Sequence, residues 1–244
     1  MLNPHLASAA LHDSYAIKCR MQIREIFTEA GAERVLAILE NETPWGLAFN
    51  DGERVIQLNA AQVSALTPAE QQRILQGVHE GARRGYQFVY NYYPVFAEYF
   101  ADGPRLPLFD VYEYLNSPEM LDFLRAVTGI EAIRWADAQA TLFRAGHFLK
   151  YHTDETPSQQ RLVAYVLNFT KGWGRDWGGY LQFFDADYDV EQAFRPVFNA
   201  LNLFTIPADH SVQMIAGYAP GNRFSITGWL RGDAPPGKIG GRSL

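Results

Sequence analysis

Apolar residues follow two periods along this chain, three to four residues apart in the first half and alternating with polar residues in the second. In the first half, Val35, Leu36 and Leu39 predict a helix over 28–39. Thr67-Pro68-Ala69-Glu70 opens another: the threonine caps, the proline takes the first helical position, and Glu70 reaches back to the cap amide. Ile74, Leu75 and Val78 follow at helical spacing, and Gly85 ends the run. Ser117-Pro118-Glu119 starts a third helix, with Leu121, Phe123 and Leu124 inside and Gly129 as its stop. Between these, 45–49 and 55–58 flank Asn50-Asp51-Gly52 and predict a short hairpin.

From Ile133 onward the period changes. Strand-like runs near 136–143, 147–154, 162–169, 179–184, 201–206, 210–216 and 222–231 are bounded by Gly, Asp, Asn and Pro. Such spacing predicts a sandwich or jelly-roll barrel. The expected class is α+β with a mainly β core, the N-terminal helices supporting the barrel in one domain over 1–244. Within it, 1–132 is expected to be mostly helical support, 133–231 the jelly-roll core and 232–244 an exposed tail.

Composition adds limits. Of 244 residues, 48% are apolar and 14% aromatic, enough for a buried core and inconsistent with disorder. The densest aromatic stretch, 86–100, fits either core packing or a substrate mouth. With 21 basic against 27 acidic residues, the net charge of −6 opposes binding to nucleic-acid phosphates or an anionic membrane, so neither partner is expected. The single cysteine, Cys19, excludes an internal disulfide and a thiolate-rich zinc site. Leu6 to Leu11 is too short for a signal peptide and no apolar run approaches the ~20 residues of a membrane span, which gives a cytoplasmic expectation.

Among chemical motifs, the glycine-rich segment 232–238 lacks the hydroxyl residue of a phosphate loop, and the chain has no Gly-x-Ser-x-Gly elbow or His-Glu-x-x-His. His152-Thr153-Asp154 stands apart: on a strand, positions 152 and 154 share a face, putting an imidazole beside a carboxylate. His5, His12 and His79 lie in the helical half and His147 has the opposite parity, which leaves His210, 58 positions downstream, as the third ligand. Two imidazoles and one carboxylate leave three adjacent positions open on an octahedral ion, the facial triad of non-haem Fe(II) oxygen chemistry. A lone His-x-Asp also arises as a hydrogen-bonded pair at a strand end. Arg223, 13 positions beyond His210, with Ser225 on the same strand face, separates the two cases, because an arginine beside a hydroxyl can grip a dicarboxylate whose other end chelates the metal.

With these residues in view, the sequence resembles the 2-oxoglutarate- and Fe(II)-dependent dioxygenases, and within them the prolyl-hydroxylase-like branch. The resemblance runs from Thr141 to Trp229. It rests on Phe143-x-x-Gly146-x-Phe148-Leu149-x-x-His152-x-Asp154, Tyr165-Val166-Leu167-Asn168, Trp177-Gly178-Gly179-Tyr180-Leu181, His210, and Arg223-Phe224-Ser225-Ile226-Thr227-Gly228-Trp229. It implies a double-stranded β-helix (jelly roll, cupin-like), iron held by His152, Asp154 and His210, and the 5-carboxylate of 2-oxoglutarate held by Arg223 with Ser225 beside it. Tyr165 stands where relatives place a tyrosine that bonds the same carboxylate, an inward core tyrosine being equally open. Asn168 is expected to support the barrel or line the pocket, and Gly178 and Gly179 to permit a tight turn.

The implied reaction consumes 2-oxoglutarate and O2, with ascorbate as a reductant, releases succinate and CO2, and hydroxylates an unactivated C–H bond. Related halogenases lack the carboxylate that Asp154 supplies, which points to a hydroxylase. Nucleic-acid demethylases of this fold carry a second arginine six positions after the first, where this chain has Trp229. The expected substrate is a prolyl residue in a protein or peptide. The alternatives are a free amino acid or other small metabolite, and, from a different class, a non-catalytic cupin-like metal- or ligand-binding barrel. The 86–100 stretch and the acidic 183–200 segment, with Asp185, Asp187, Asp189 and Glu191, are expected to border the pocket mouth.

Overall fold

The helix signals are realised as caps. In the computed structural model, which describes residues 1–156 and 158–240, Thr67 accepts from the Glu70 amide while the Glu70 carboxylate accepts from the Thr67 amide at 2.8 Å. The helix they open is Pro68–Ala82 (α4), after Ser8–Lys18 (α1), Glu29–Asn41 (α2) and Ala60–Ala65 (α3). Val95–Phe100 (α5), Leu108–Leu115 (α6) and Pro118–Thr128 (α7) follow. Ser117 caps α7 and Gly129, at φ 71°, stops it in the left-handed region.

The first half is less purely helical than its periodicity suggests. It also holds Arg20–Arg24 (β1), the hairpin Gly46–Asp51 and Arg54–Leu58 (β2, β3), and Phe88–Tyr93 (β4). β1 and β4 join the main sheet, where antiparallel partners from the second half satisfy their backbones. β1 alternates over only five residues, too few to stand out, and β4 shows no alternation because it is buried at five of its six positions.

The second half gives Trp135–Ala136 (β5), Gln139–Phe143 (β6), Phe148–His152 (β7), Arg161–Asn168 (β8) and Leu181–Phe184 (β9). Val190–Phe194 (β10), Ala200–Thr205 (β11), His210–Val212 (β12) and Arg223–Arg231 (β13) complete it. All described pairings are antiparallel, in the order β1-β11-β8-β13-β6-β4-β7-β12-β9-β10, a nearly closed jelly roll. β10 occupies part of the segment read as the acidic loop. The tail also differs from expectation: residues 233–240 lie partly buried over α5, with the Asp233 carbonyl accepting from Trp135 Nε1 and the Gly240 amide donating to Tyr99. Positions 241–244 lie outside the described residues. No helix of the described residues is long and apolar enough to cross a membrane.

Strand alternation sorts side chains between two cores. On β8, Val163, Tyr165 and Leu167 pack toward the helices, while Ala164 and Val166 face the barrel interior. On β13, Phe224, Ile226 and Leu230 face the helices, which turns Arg223, Ser225, Thr227 and Trp229 inward. Each fully buried Leu or Phe contributes about 1.5–3 kcal/mol by removal from water. The helical half therefore stabilises the very strands that carry the inner face.

His147, just before β7, is buried, and its Nδ1 has no hydrogen-bond partner. Burial pushes its pKa down from 6.5 to about 4, with Arg144 and His79 adding to the effect against a hydrogen bond with the Leu142 backbone. A base with a depressed folded pKa leaves stability intact above about pH 6.5 and removes it as pH falls toward 4, by about 3 kcal/mol in all. Urea unfolding of His147→Phe between those pH values is expected to show a shallower loss than the parent protein, and parallel curves would refute the assignment.

Candidate functional site

His152 is the last residue of β7 and pairs in register with His210, the first of β12. Because β12 begins at His210, the chain beyond His152 has no partner strand there, and Asp154 lies in the following loop rather than on the strand. Its carboxylate still reaches both rings: Oδ1 is 3.5 Å from His152 Nε2 and Oδ2 is 3.5 Å from His210 Nε2. One ligand atom from each of the three residues lies within 4.8 Å of the others, a spacing that fits one metal ion.

The imidazoles are oriented from behind. His152 Nδ1 lies 2.8 Å from the Lys150 carbonyl and His210 Nδ1 lies 2.8 Å from the Ala208 carbonyl. Carbonyls only accept, so each Nδ1 donates to its carbonyl and each Nε2 is the ring nitrogen turned toward Asp154. Burial, reinforced by the neighbouring His152, lowers the His210 pKa to about 4 and keeps that ring neutral. For Asp154, burial opposes ionisation, but the contacts with His152, His210 and Trp229 together outweigh it and hold the carboxyl below its ordinary value.

Arg223 lines the same cavity, a space of about 310 Å³. It is 2% exposed, its Nε has no partner, and no carboxylate among the described residues pairs with it. Its Nη1 donates to Ser225 Oγ at 3.3 Å, Ser225 Oγ shares a hydrogen bond with Thr141 Oγ1 at 2.8 Å, and its guanidinium lies 5.1 Å from the Phe143 ring centroid. Burial lowers its pKa to about 10, which leaves it cationic near neutral pH. A buried cation without an acid calls for an anionic ligand. Gly178 and Gly179, at φ 74° and 72°, clear the space: a Cβ on Gly179 would stand 3.2 Å from Arg223 Cδ and 2.5 Å from Ile215 Cδ1.

Tyr165 borders the cavity, but its hydroxyl is engaged elsewhere. β8 parity sends its ring toward the helices, and its hydroxyl donates to the Asp137 carbonyl at 2.6 Å, so the phenol is committed to the core. Asn168 bonds the Val166 and Ala200 carbonyls inside the barrel. Within the aromatic stretch, Tyr86 and Tyr90 line the cavity while Val95 and Tyr99 are core. No residue of 183–200 lines it; Asp185 Oδ1 instead accepts from the Asp187 and Asp189 amides and closes the turn before β10. The sequence reading missed Thr141, which needs the β6–β13 register to be found, and Arg161, whose guanidinium lies 3.5 Å over the Trp229 ring at the cavity wall. Trp229 lies six residues after Arg223 on the same inner face of β13.

Residues 138–231 match the family model of the 2OG-Fe(II) oxygenase superfamily. No curated protein matches the chain in sequence. Among solved structures, a Pseudomonas putida prolyl-4-hydroxylase matches with TM-score 0.59 at 20% identity, over 93% of this chain and 100% of that one. A Burkholderia pseudomallei oxidoreductase of the 2OG-Fe(II) oxygenase family matches with TM-score 0.63 at 12% identity, over 96% and 95%. A Trichoplax adhaerens prolyl hydroxylase, solved with a hypoxia inducible factor oxygen degradation domain peptide fragment, matches with TM-score 0.54 at 16% identity, over 92% and 88%. At these identities the structures share a fold with this chain, while the matched stretch spans every β-strand from Gln139 to Arg231. Residues 138–231, which carry His152, Asp154, His210 and Arg223, are thus similar to the 2OG-Fe(II) oxygenase superfamily, and the whole chain shares the fold of these structures.

Proposed function

We propose that this protein is a 2-oxoglutarate/Fe(II)-dependent hydroxylase acting on an unactivated C–H bond of a prolyl residue in a protein or peptide, with succinate and CO2 as coproducts. The observation that carries the reading is Arg223, buried without an acid in the cavity that also holds the two-histidine, one-carboxylate cluster. His152, Asp154 and His210 would hold Fe(II), and Arg223, steadied by Ser225 and Thr141, would hold the distal carboxylate of 2-oxoglutarate. Bound there, the metal and cosubstrate supply the activation of O2, and ascorbate would serve as a reductant.

The chain's own contribution is placement and dryness. The Lys150 and Ala208 carbonyls accept from the two Nδ1 atoms and hold both rings with Nε2 turned toward Asp154. Leu149, Leu181, Phe204 and Val212 line the cavity with hydrocarbon and exclude water from the reacting atoms. At the wall, the Trp229 ring under Arg161 and the partly exposed Tyr86 give flat apolar faces, suited to a saturated five-membered ring. The prolyl-hydroxylase fold of two of the matched structures favours the same substrate class.

The test is succinate release from 2-oxoglutarate with Fe(II) and ascorbate, together with mass spectrometry for +16 Da products in proline-containing peptide and free amino-acid pools. Peptide products at proline support the reading. Products confined to free amino acids overturn the substrate assignment, and absence of succinate, with no melting shift on adding Fe(II) and 2-oxoglutarate, overturns the enzyme assignment.

A further inference from the structure

The two ends of the sheet path, β1 and β10, are edge strands with one ladder neighbour each among the described residues. Barrel curvature brings them side by side. Only side chains tie them together: Arg20 Nε donates to Gln192 Oε1 at 2.9 Å and Gln22 Nε2 donates to the Arg195 carbonyl at 3.0 Å. Between them lies an open groove of about 720 Å³, walled also by α1 and the segment before β9.

The charge of this groove opposes that of the molecule. Its lining includes Lys18, Arg20, Arg24, Arg175 and Arg195 and no carboxylate, in a chain of net charge −6. Glu191, on the rim, pairs with both Lys18 and Arg20 and offsets one of their two charges. Arg24, Arg175 and Arg195 have no ion-pair partner among the described residues. Period two puts Arg20, Gln22 and Arg24 on one face of β1, with Met21 and Ile23 in the core behind them. Charged side chains on an edge strand deter pairing with neutral or basic strands. Acidic side chains reverse that penalty, while the unpaired backbone still favours an extended chain.

We propose that the β1–β10 groove docks an extended acidic peptide segment of a partner protein, whose backbone lies along a free strand edge and whose carboxylates meet Arg24, Arg175 and Arg195. The groove floor backs onto the metal-ligand region, since Arg20 lies 4.8 Å over the Phe183 ring, which neighbours His210 at a 6.4 Å centroid distance. The proposal does not depend on the catalytic assignment. A nucleic acid is the less suitable occupant: Tyr180 and Phe194 are the aromatic lining residues, Phe194 is buried, and nothing offers a row of stacking platforms.

The probe is a fluorescein-labelled peptide of about ten residues alternating Glu and Val, titrated with the full chain and read by anisotropy. Saturable binding is expected, weakening about tenfold or more between about 0.05 M and 0.3 M NaCl. Arg24→Glu with Arg175→Glu is expected to weaken it at least tenfold. The same double variant should leave succinate release unchanged, which separates this surface from the catalytic site. A Gln/Val peptide should fail to bind, and N-methylation of alternate residues should weaken the Glu/Val peptide. Equal binding of the N-methylated peptide would overturn the strand-edge mode. No binding, no effect of charge reversal, or tighter binding of a thymidine oligonucleotide of similar length would overturn the proposal itself.

Discussion

Asp154→Ala is expected to remove catalytic turnover while leaving the protein folded. Its two oxygens lie 3.5 Å from His152 Nε2 and His210 Nε2, so the substitution takes away the charged member of the cluster and the group that spans both rings. Replacing a partner behind a metal ligand typically costs about 10- to 100-fold in metal affinity or activity, and losing the ligand itself should exceed that range. Fe(II) titrated under argon, or Co(II) as a spectroscopic substitute, should bind at least about 100-fold more weakly to the variant. Folding should not suffer comparably. Burial opposes the Asp154 charge, which only the contacts with His152, His210 and Trp229 sustain, so alanine removes a costly buried charge together with those contacts. The pair of measurements distinguishes a ligand from a structural carboxylate. Full turnover with unchanged metal affinity in Asp154→Ala would end the assignment of the cluster, whereas a collapse of the melting temperature would assign Asp154 a folding role.

The ease with which this site was read from sequence reflects strand geometry. Period two placed Arg223 and Ser225 on one face of β13, and both stand on the inner face. The cap-and-proline starts of α4 and α7 were legible because capping is local, settled within four residues. Contacts between distant segments were not. Thr141 reaches Ser225 only because β6 pairs with β13 in that register. Tyr165 sits three residues before Asn168 in a plausible motif, yet parity commits its ring to the helix-facing core, and the Asp137 carbonyl takes its hydroxyl. The strand β4 escaped because its burial comes from tertiary cover rather than alternation, and β1 because it alternates over only five residues. Asp154 shows the converse: the parity argument assumed a strand running through 154, the strand ends at His152, and the loop nevertheless delivers the carboxylate to the same place.

Arg223→Met is expected to make the ligand-free protein more stable and abolish its response to 2-oxoglutarate. Arg223 is 2% exposed, leaves Nε without a partner, and meets no acid among the described residues, so the folded protein bears the desolvation of a cation with little return. Burial lowers its pKa only to about 10, hence the charge persists through the physiological range. Methionine matches the aliphatic stem, can pack against Phe143, and leaves the Ser225–Thr141 hydrogen bond in place. A gain of about 1–3 kcal/mol is expected without ligand, or about 2–4 °C in melting temperature for each kcal/mol in a chain of this size. With Fe(II) present, 2-oxoglutarate should raise the melting temperature of the parent protein and leave Arg223→Met unmoved. Removing one side of a buried charge pair costs about 2–5 kcal/mol, which weakens 2-oxoglutarate binding by about 30-fold to several thousand-fold. Arg223→Lys keeps the charge but loses the planar fork, so it should recover part of the affinity and little of the turnover. The two effects have opposite signs because one group serves both: the arginine that destabilises the empty barrel holds the cosubstrate in the filled one. A variant that melts lower than its parent and still shifts with 2-oxoglutarate would make Arg223 a core residue rather than an anion clamp.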